Sequence, residues 1–381
     1  MRWGWFAAVA AGLALFAACR DGGGPPAPST SATADGYDFS AIGPIVAEFV
    51  GQRGLEGAGL VVVDAEARAS ALGDGIVHEE YWGGFDANRV SLIASASKPI
   101  TTIVLLQLAE RGLLDLDAPI SDLTGWEVQA PMTTAQLLSN SSGLVGIFRD
   151  EDDRLYRCRN RTDGTLLDCG REIATTQEDA ADVRPPDTSF DYGGGQWHVA
   201  GAVAEAVSGR SWASLVADGI AGPCGLESLA FTNPWIDDGS GGGYPHALAA
   251  DPPATQNPNV EGGARSTARD YAQILLLHLR GGLCGTERIL SPASIDRMLT
   301  DRIAEVYGGD AYEPDRGYGL GWWIDRTTGR RTAEGAWGAW PWLDLDGRHG
   351  AYLVIEADTL TGRDLVDRLY DPVANAVLAG R

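Results

Sequence analysis

Ile93-Ala94-Ser95-Ala96-Ser97-Lys98-Pro99-Ile100-Thr101-Thr102 is the stretch on which the fold turns. It opens an apolar run that reads as a helix from about Ser95 to Arg111. Ile103, Val104, Leu106 and Leu108 form its buried side, and Gly112 is its stop. A serine and a lysine three residues apart at a helix start lie on one face, so the Lys98 amine reaches the Ser95 hydroxyl. The positive end of a helix and partial burial both disfavour an ammonium, which suits that amine to accept a proton. The same helix end lends the Ser95 N–H to an oxyanion. Ser97 reads as a helix-start residue rather than a nucleophile.

Lys98 is the single lysine of the chain; every other one of its 29 basic residues is arginine. A bias towards arginine explains replacement wherever any cation serves, but arginine cannot give up its proton near neutral pH. A serine falls three positions before a lone lysine by chance roughly one time in fifteen. The retained amine therefore marks Ser95 and Lys98 as a nucleophile and its proton-handling partner.

The 381 residues suffice for a substantial core, and 44% hydrophobic with 21% charged residues is a globular composition. With 52 acidic residues and a formal charge of −23, the surface repels phosphate backbones and anionic lipid, which excludes nucleic acid as a partner.

The N-terminus reads as an export signal over residues 1–18. Arg2 precedes an apolar stretch from Trp3 to Phe16, too short to span a bilayer comfortably, followed by the small residues Ala17 and Ala18. Ala17-Ala18-Cys19 resembles a bacterial lipoprotein box with lipid on the Cys19 sulfur, although Phe16 departs from the aliphatic residue usual there. The expected location is the bacterial cell envelope, lipid-anchored in the outer membrane or periplasm, or else secretion. The anchor would be the only membrane contact. Residues 19–39, rich in Gly, Pro, Ser, Thr and Ala, read as a flexible tether, and 40–381 as one domain. Cys158, Cys169, Cys224 and Cys284 remain, an even number suited to disulfides in an oxidising compartment. Cys158 with Cys169 would close a local loop and leave Cys224 with Cys284, a pairing that sequence does not prove. No pair has the spacing of a zinc site, and no metal or cofactor is expected.

Beyond Ser40, read as an N-cap, Ile42, Ile45, Val46, Phe49 and Val50 recur at helical spacing. Leu60 to Asp64 and Ile76 to Tyr81 read as a hairpin. The middle of the chain is helices and loops, the helices being Val199 to Val207, Trp212 to Asp218, Ala268 to Leu279 and Pro292 to Leu299. Strand-like runs return at Gly319 to Asp325, Gly338 to Leu345 and Ala351 to Ala357, and a helix from Asp364 to Leu378 closes the chain. The fold class is α/β (α+β): one antiparallel sheet built from both ends, flanked by helices, with a mainly helical lobe inserted between.

Further motifs follow the Ser95 stretch in order: Leu113-Leu-Asp-Leu-Asp-Ala-Pro119, Leu137-Leu-Ser-Asn-Ser-Ser-Gly-Leu144, Phe190-Asp-Tyr192, Gly262-Gly-Ala-Arg-Ser-Thr-Ala-Arg-Asp270 and Gly317-Tyr-Gly-Leu-Gly-Trp322. With them the sequence resembles the serine β-lactamase-related family of class C β-lactamases, D-alanyl-D-alanine carboxypeptidases and family VIII carboxylesterases. The resemblance covers nearly everything from residue 40 onward and implies a β-lactamase/transpeptidase-like fold. It also implies that Tyr192, the tyrosine of a Tyr-x-Asn box, shares proton transfer with Lys98. The asparagine of that box is Gly194 here. The third box, a cation, a hydroxyl and a glycine, aligns with Ala333-Glu334-Gly335, so only the glycine is kept. The N–H of Ala336 would still complete an oxyanion hole with that of Ser95. Glu334 would repel the substrate carboxylate that the missing cation grips in the family.

Trp197, Trp337 and Trp340, with Gly194 and Gly335, are the expected substrate pocket, apolar enough for an acyl or alcohol group; Trp342 on an alternating strand reads as core. None of His78, His198, His246, His278 and His349 pairs at metal-ligand spacing, and no Gly-x-Ser-x-Gly elbow supports a Ser-His-Asp triad. The expected activity is acyl-enzyme hydrolysis of a small-molecule ester or amide, a carboxylic ester first. D-alanyl-D-alanine carboxypeptidase or β-lactamase action is the second expectation, and a catalytically silent ligand-binding lipoprotein the third.

Overall fold

Leu60-Val61-Val62-Val63 is a continuous aliphatic run, three of it β-branched, and it lies within strand Gly57–Asp64, buried at every position. A strand can be apolar on both faces only if both are covered. In this computed structural model, which describes residues 29–67, 71–147, 156–176, 182–235, 244–303 and 312–381, both are. Gly57–Asp64 pairs antiparallel with Ile76–Gly83 on one side and with His349–Val354 on the other, Val62 lying opposite His78 and Ala351. The full sheet has eight strands in the order Thr30–Thr33, Ile76–Gly83, Gly57–Asp64, His349–Val354, Ala339–Asp344, Arg331–Thr332, Trp323–Asp325, Arg316–Tyr318. Strands from the two ends of the chain thus meet in one antiparallel sheet, as expected.

Alternation along these strands makes two cores. Leu60, Val62, Trp340, Trp342, Ala351 and Leu353 pack beneath helices Ile42–Arg53, Thr359–Val366 and Tyr370–Gly380. Val61, Val63, Leu343, Tyr352 and Val354 face helix Ala268–Leu279 and the helical lobe, with Tyr352 stacked on Tyr271 at 4.5 Å. The lobe contains helix Leu166–Thr175 packed on Gln196–Ser208, which in turn packs on Lys98–Glu110. Disulfides join Cys158 to Cys169 and Cys224 to Cys284.

Four local expectations are corrected. Thr30–Thr33, assigned to the tether, forms an edge strand on Ile76–Gly83, because main-chain bonds at a sheet edge need no apolar side chains. Ser40 does not cap its helix; its N–H is taken by Asp38 Oδ1 at 2.9 Å, and Ala41 begins the helix without a side-chain cap. Of the strand expected at Gly319 to Asp325 only Trp323–Asp325 forms; the residues before it are a hairpin turn, with Gly321 at φ +89° and the Gly319 N–H on the Trp322 carbonyl at 2.9 Å. The terminal helix is two helices, because Pro372 in the first turn of Tyr370–Gly380 has no N–H to continue an earlier one. The export segment and Cys19 lie outside the described residues.

Candidate active site

The site is assembled at the junction of strand and helix. Strand Ser91–Leu92 pairs with Ala264–Ser266. The chain then turns through Ala94, held at φ +46°, into a 3₁₀ turn Ala94–Ser97 that continues as helix Lys98–Glu110. Ser97 knits this corner: its hydroxyl donates to the Ala94 carbonyl at 2.6 Å and accepts the Ala264 N–H at 3.0 Å. Ser97 is therefore structural, as the sequence indicated. From Ser91 to Leu108 every residue is buried except Ser95, so the corner presents one hydroxyl to solvent.

Lys98 is 1% exposed. Its Nζ donates to Ser95 Oγ at 2.9 Å and to the Glu261 carbonyl at 3.2 Å, and lies 3.6 Å from Glu261 Oε2. It also stands over the faces of Tyr192, 4.7 Å from the ring centroid, and Trp197, at 5.6 Å. Such cation–π contacts favour a fixed amine position. Trp197 is fully buried, with its Nε1–H on Asn140 Oδ1 at 2.9 Å, so it floors the site beneath the lysine and lines no open pocket.

Tyr192 is held in an aromatic cluster, stacked on Trp323 at 5.1 Å and edge-on to Tyr318 at 6.1 Å. The chain leaves it through Gly193 and Gly194, both left-handed at φ +70° and +79°. A Cβ at Gly194 would lie 2.5 Å from the Val145 carbonyl oxygen, so the missing side-chain amide has no room on this backbone. Asn140, from the Leu137–Leu144 segment, holds the loop instead, its Oδ1 accepting the Gly193 N–H at 3.0 Å.

Across from these groups lies the turn after strand Arg331–Thr332. A Cβ at Gly335 would lie 2.3 Å from the Ile93 carbonyl oxygen, so glycine lets this turn close on the corner that carries Ser95. Ala336 is exposed, and among the described residues neither its N–H nor that of Ser95 has a hydrogen-bond partner. Glu334 is not the bare charge expected from the sequence: Arg316 and Arg363 both pair with it, the latter at 3.1 Å.

Of the expected pocket tryptophans only Trp337 borders the Ser95 corner, sharing a cluster with Leu92 and Ala94. It stacks on Trp235 at 4.4 Å and meets Tyr244 edge-on at 5.8 Å. Sequence reasoning missed Trp235 and Tyr244, because no local pattern ties them to the motifs. Trp340 is corrected: strand alternation turns it to the opposite face, where its Nε1–H bonds Tyr370 Oη at 3.0 Å. Trp342 is core on that same face. Glu261 was also missed as a site residue, one position before the Gly262-Gly263 motif. Among the described residues the one group of ligand-type side chains close enough to share a metal is Glu56, His246 and Glu356, and Arg89 already pairs with both carboxylates.

A serine hydroxyl bonded to a buried amine, an aromatic ring over that amine and two open N–H groups opposite form an arrangement suited to acyl transfer. Residues 44–376 match the family model described as Beta-lactamase. The chain belongs to the β-lactamase family. Enzymes of this family are serine hydrolases and acyltransferases. Penicillin-binding protein 4 of Amycolatopsis lactamdurans is 27% identical over 285 residues, 70% of this chain and 71% of that protein. EstCE1, described as a hydrolase with promiscuous acyltransferase activity, superposes with a TM-score of 0.69 at 19% identity, covering 89% of this chain and 99% of its own. A penicillin-binding protein homologue from Caulobacter crescentus gives 0.66 at 16% identity over 91% and 100%. These likenesses carry the β-lactamase/transpeptidase-like fold over almost the whole chain. No helix among the described residues is long and apolar enough to cross a membrane.

Proposed function

We propose that this β-lactamase-family protein is an exported hydrolase that forms an acyl-enzyme on Ser95, with carboxylic esters as its preferred substrates. The observation that carries the reading is the 2.9 Å contact between Lys98 Nζ and Ser95 Oγ, made by the chain's single lysine. As Ser95 Oγ bonds to the substrate carbonyl carbon, its proton passes to Lys98 Nζ, with Tyr192 assisting. The N–H groups of Ser95 and Ala336 take the developing oxyanion. The leaving alcohol departs with a proton from the lysine, and water then attacks the acyl carbon in the same way. EstCE1's described acyltransferase activity supports an alcohol as an alternative acceptor in that second step.

Esters rank above cell-wall amides because the third box offers no cation: Ala333 is buried and Glu334 is already ion-paired. Penicillin-binding protein 4 favours the second reading, a D-alanyl-D-alanine peptidase or β-lactamase. Turnover of a short-chain p-nitrophenyl ester against a chromogenic cephalosporin separates the two. We expect kcat/KM for the ester to be at least about a hundredfold higher, roughly 2.7 kcal/mol in transition-state binding; a cephalosporin turned over faster contradicts the ester assignment. Export is supported by the two disulfides, which persist in oxidising compartments, and a lipid on Cys19 would anchor the protein to the envelope.

A further inference from the structure

Glutamate is rarely buried without a purpose, because its charge must be compensated. Glu261 is 8% exposed and its two carboxylate oxygens are divided. Oε1 accepts from Arg159 Nη1 at 3.3 Å, whereas Oε2 lies 3.6 Å from Lys98 Nζ. The surroundings fix that division. Arg159 is itself buried, on a turn closed by the Cys158–Cys169 disulfide, with its carbonyl on Asn233 Nδ2 at 2.7 Å. Asn259 Oδ1 accepts the N–H groups of Glu261 and Gly262 at 3.2 and 2.8 Å, which cinches the backbone against the lysine. A Cβ at Gly193 would lie 3.1 Å from Oε2, so glycine leaves room on that side of the carboxylate. A simple counter-ion for Arg159 would need none of this on the lysine side.

We propose that Glu261 is the proton store of the site, a positioning residue that acts through Lys98. This rests on the acyl-enzyme reading above. Before acylation one proton moves from Lys98 Nζ to Glu261 Oε2: an N–H bond breaks, an O–H bond forms, and an ammonium–carboxylate pair becomes an amine and a carboxylic acid. The gap closes to hydrogen-bond length with a movement of about half an ångström. The amine lone pair is then available to take the Ser95 proton, with no proton released to solvent. Among the described residues the titratable and charged groups around Glu261 are Lys98, Arg159 and Tyr318, with Tyr192 beneath the Lys98 amine and His198 beyond Arg159. Arg159 stays a guanidinium cation throughout, so the mobile proton is shared between Lys98 and Glu261.

The test is the pH profile of kcat/KM for a p-nitrophenyl ester between pH 5.5 and 9, with the rate of fluorophosphonate labelling as a second readout. Because the Lys98–Glu261 pair supplies its own amine, the wild type should hold kcat/KM within about threefold from pH 9 down to pH 6. Glu261→Gln must lose the lysine proton to solvent, so it should fall at least about tenfold below wild type at pH 6 and return to within about threefold at pH 9. Glu261→Asp, which keeps the acid, should restore the level profile. A Glu261→Gln profile parallel to wild type, whether lowered or not, would overturn the proposal. So would a wild-type profile that drops tenfold per pH unit below about pH 8, an outcome that needs no variant. Absence of labelling at Ser95 in the wild type would instead reject the nucleophile; labelling at Ser95 with unchanged pH dependence rejects only the role of Glu261.

Discussion

At the scale of single residues, the proposed chemistry rests on one amine, that of Lys98, for which another cation would be no substitute. Arginine at position 98 would keep a positive charge beside Ser95 but could not accept its proton. Lys98→Arg is expected to melt cooperatively, with near-native circular dichroism, and to lose about 10²- to 10⁴-fold in kcat/KM. An arginine variant with wild-type turnover would show that only charge was needed. This pair was legible in the sequence because both members lie within one turn of helix. Glu261, Trp235 and Tyr244 were not, because each reaches the site across a long separation in the chain and carries no motif of its own. Gly194 was visible as a departure from the family pattern, but only the 2.5 Å approach of the Val145 carbonyl explains it.

At the scale of elements, the segments that position the site are held by half-buried polar clamps rather than by helix propensity. Asp187 ties the Leu137–Leu144 segment to the chain before the edge hairpin. Its carboxylate accepts from Arg302 Nη1 at 2.7 Å, from Ser141 Oγ at 2.7 Å and from Gln136 Nε2 at 2.7 Å. Burial works to raise this carboxyl, but Arg302, Gln136 and Ser141 outweigh it and hold its pKa down at about 2, below the ordinary 3.8. A depressed carboxyl stabilises the fold above its unfolded value and loses that contribution as pH falls towards the folded one. The clamp should therefore be fully present at neutral pH and disappear between about pH 4 and pH 2. Urea midpoints for wild type and Asp187→Asn should differ most near pH 7 and converge by about pH 2; a difference independent of pH would contradict the clamp. Long periodic helices such as Ala268–Leu279 and Pro292–Leu299 matched their sequence boundaries. Short elements did not: the hairpin through Gly321 and the break before Pro372 depend on tertiary packing and on one missing N–H.

At the scale of the whole molecule, the two chain ends build one sheet. Asp64, completely buried at the end of a central strand, accepts Arg381 Nη2 at 2.7 Å and Tyr37 Oη at 2.9 Å, so residues from both ends of the domain meet on one carboxylate. The apolar runs made this architecture readable, since strands at both ends around a helical middle leave few other ways to cover both faces. The edge strand Thr30–Thr33 escaped because its pairing is written in the backbone. This frame brings the Ser95 corner, the Tyr192 loop and the Gly335 turn together from three separate parts of the chain. The proposed acyl transfer depends on the atom at their meeting point, Ser95 Oγ. Incubation with a fluorophosphonate followed by peptide mass spectrometry measures it directly. The adduct is predicted on Ser95, with none on Ser97 and none anywhere in Ser95→Ala; equal labelling of wild type and Ser95→Ala would contradict the nucleophile and the mechanism built on it.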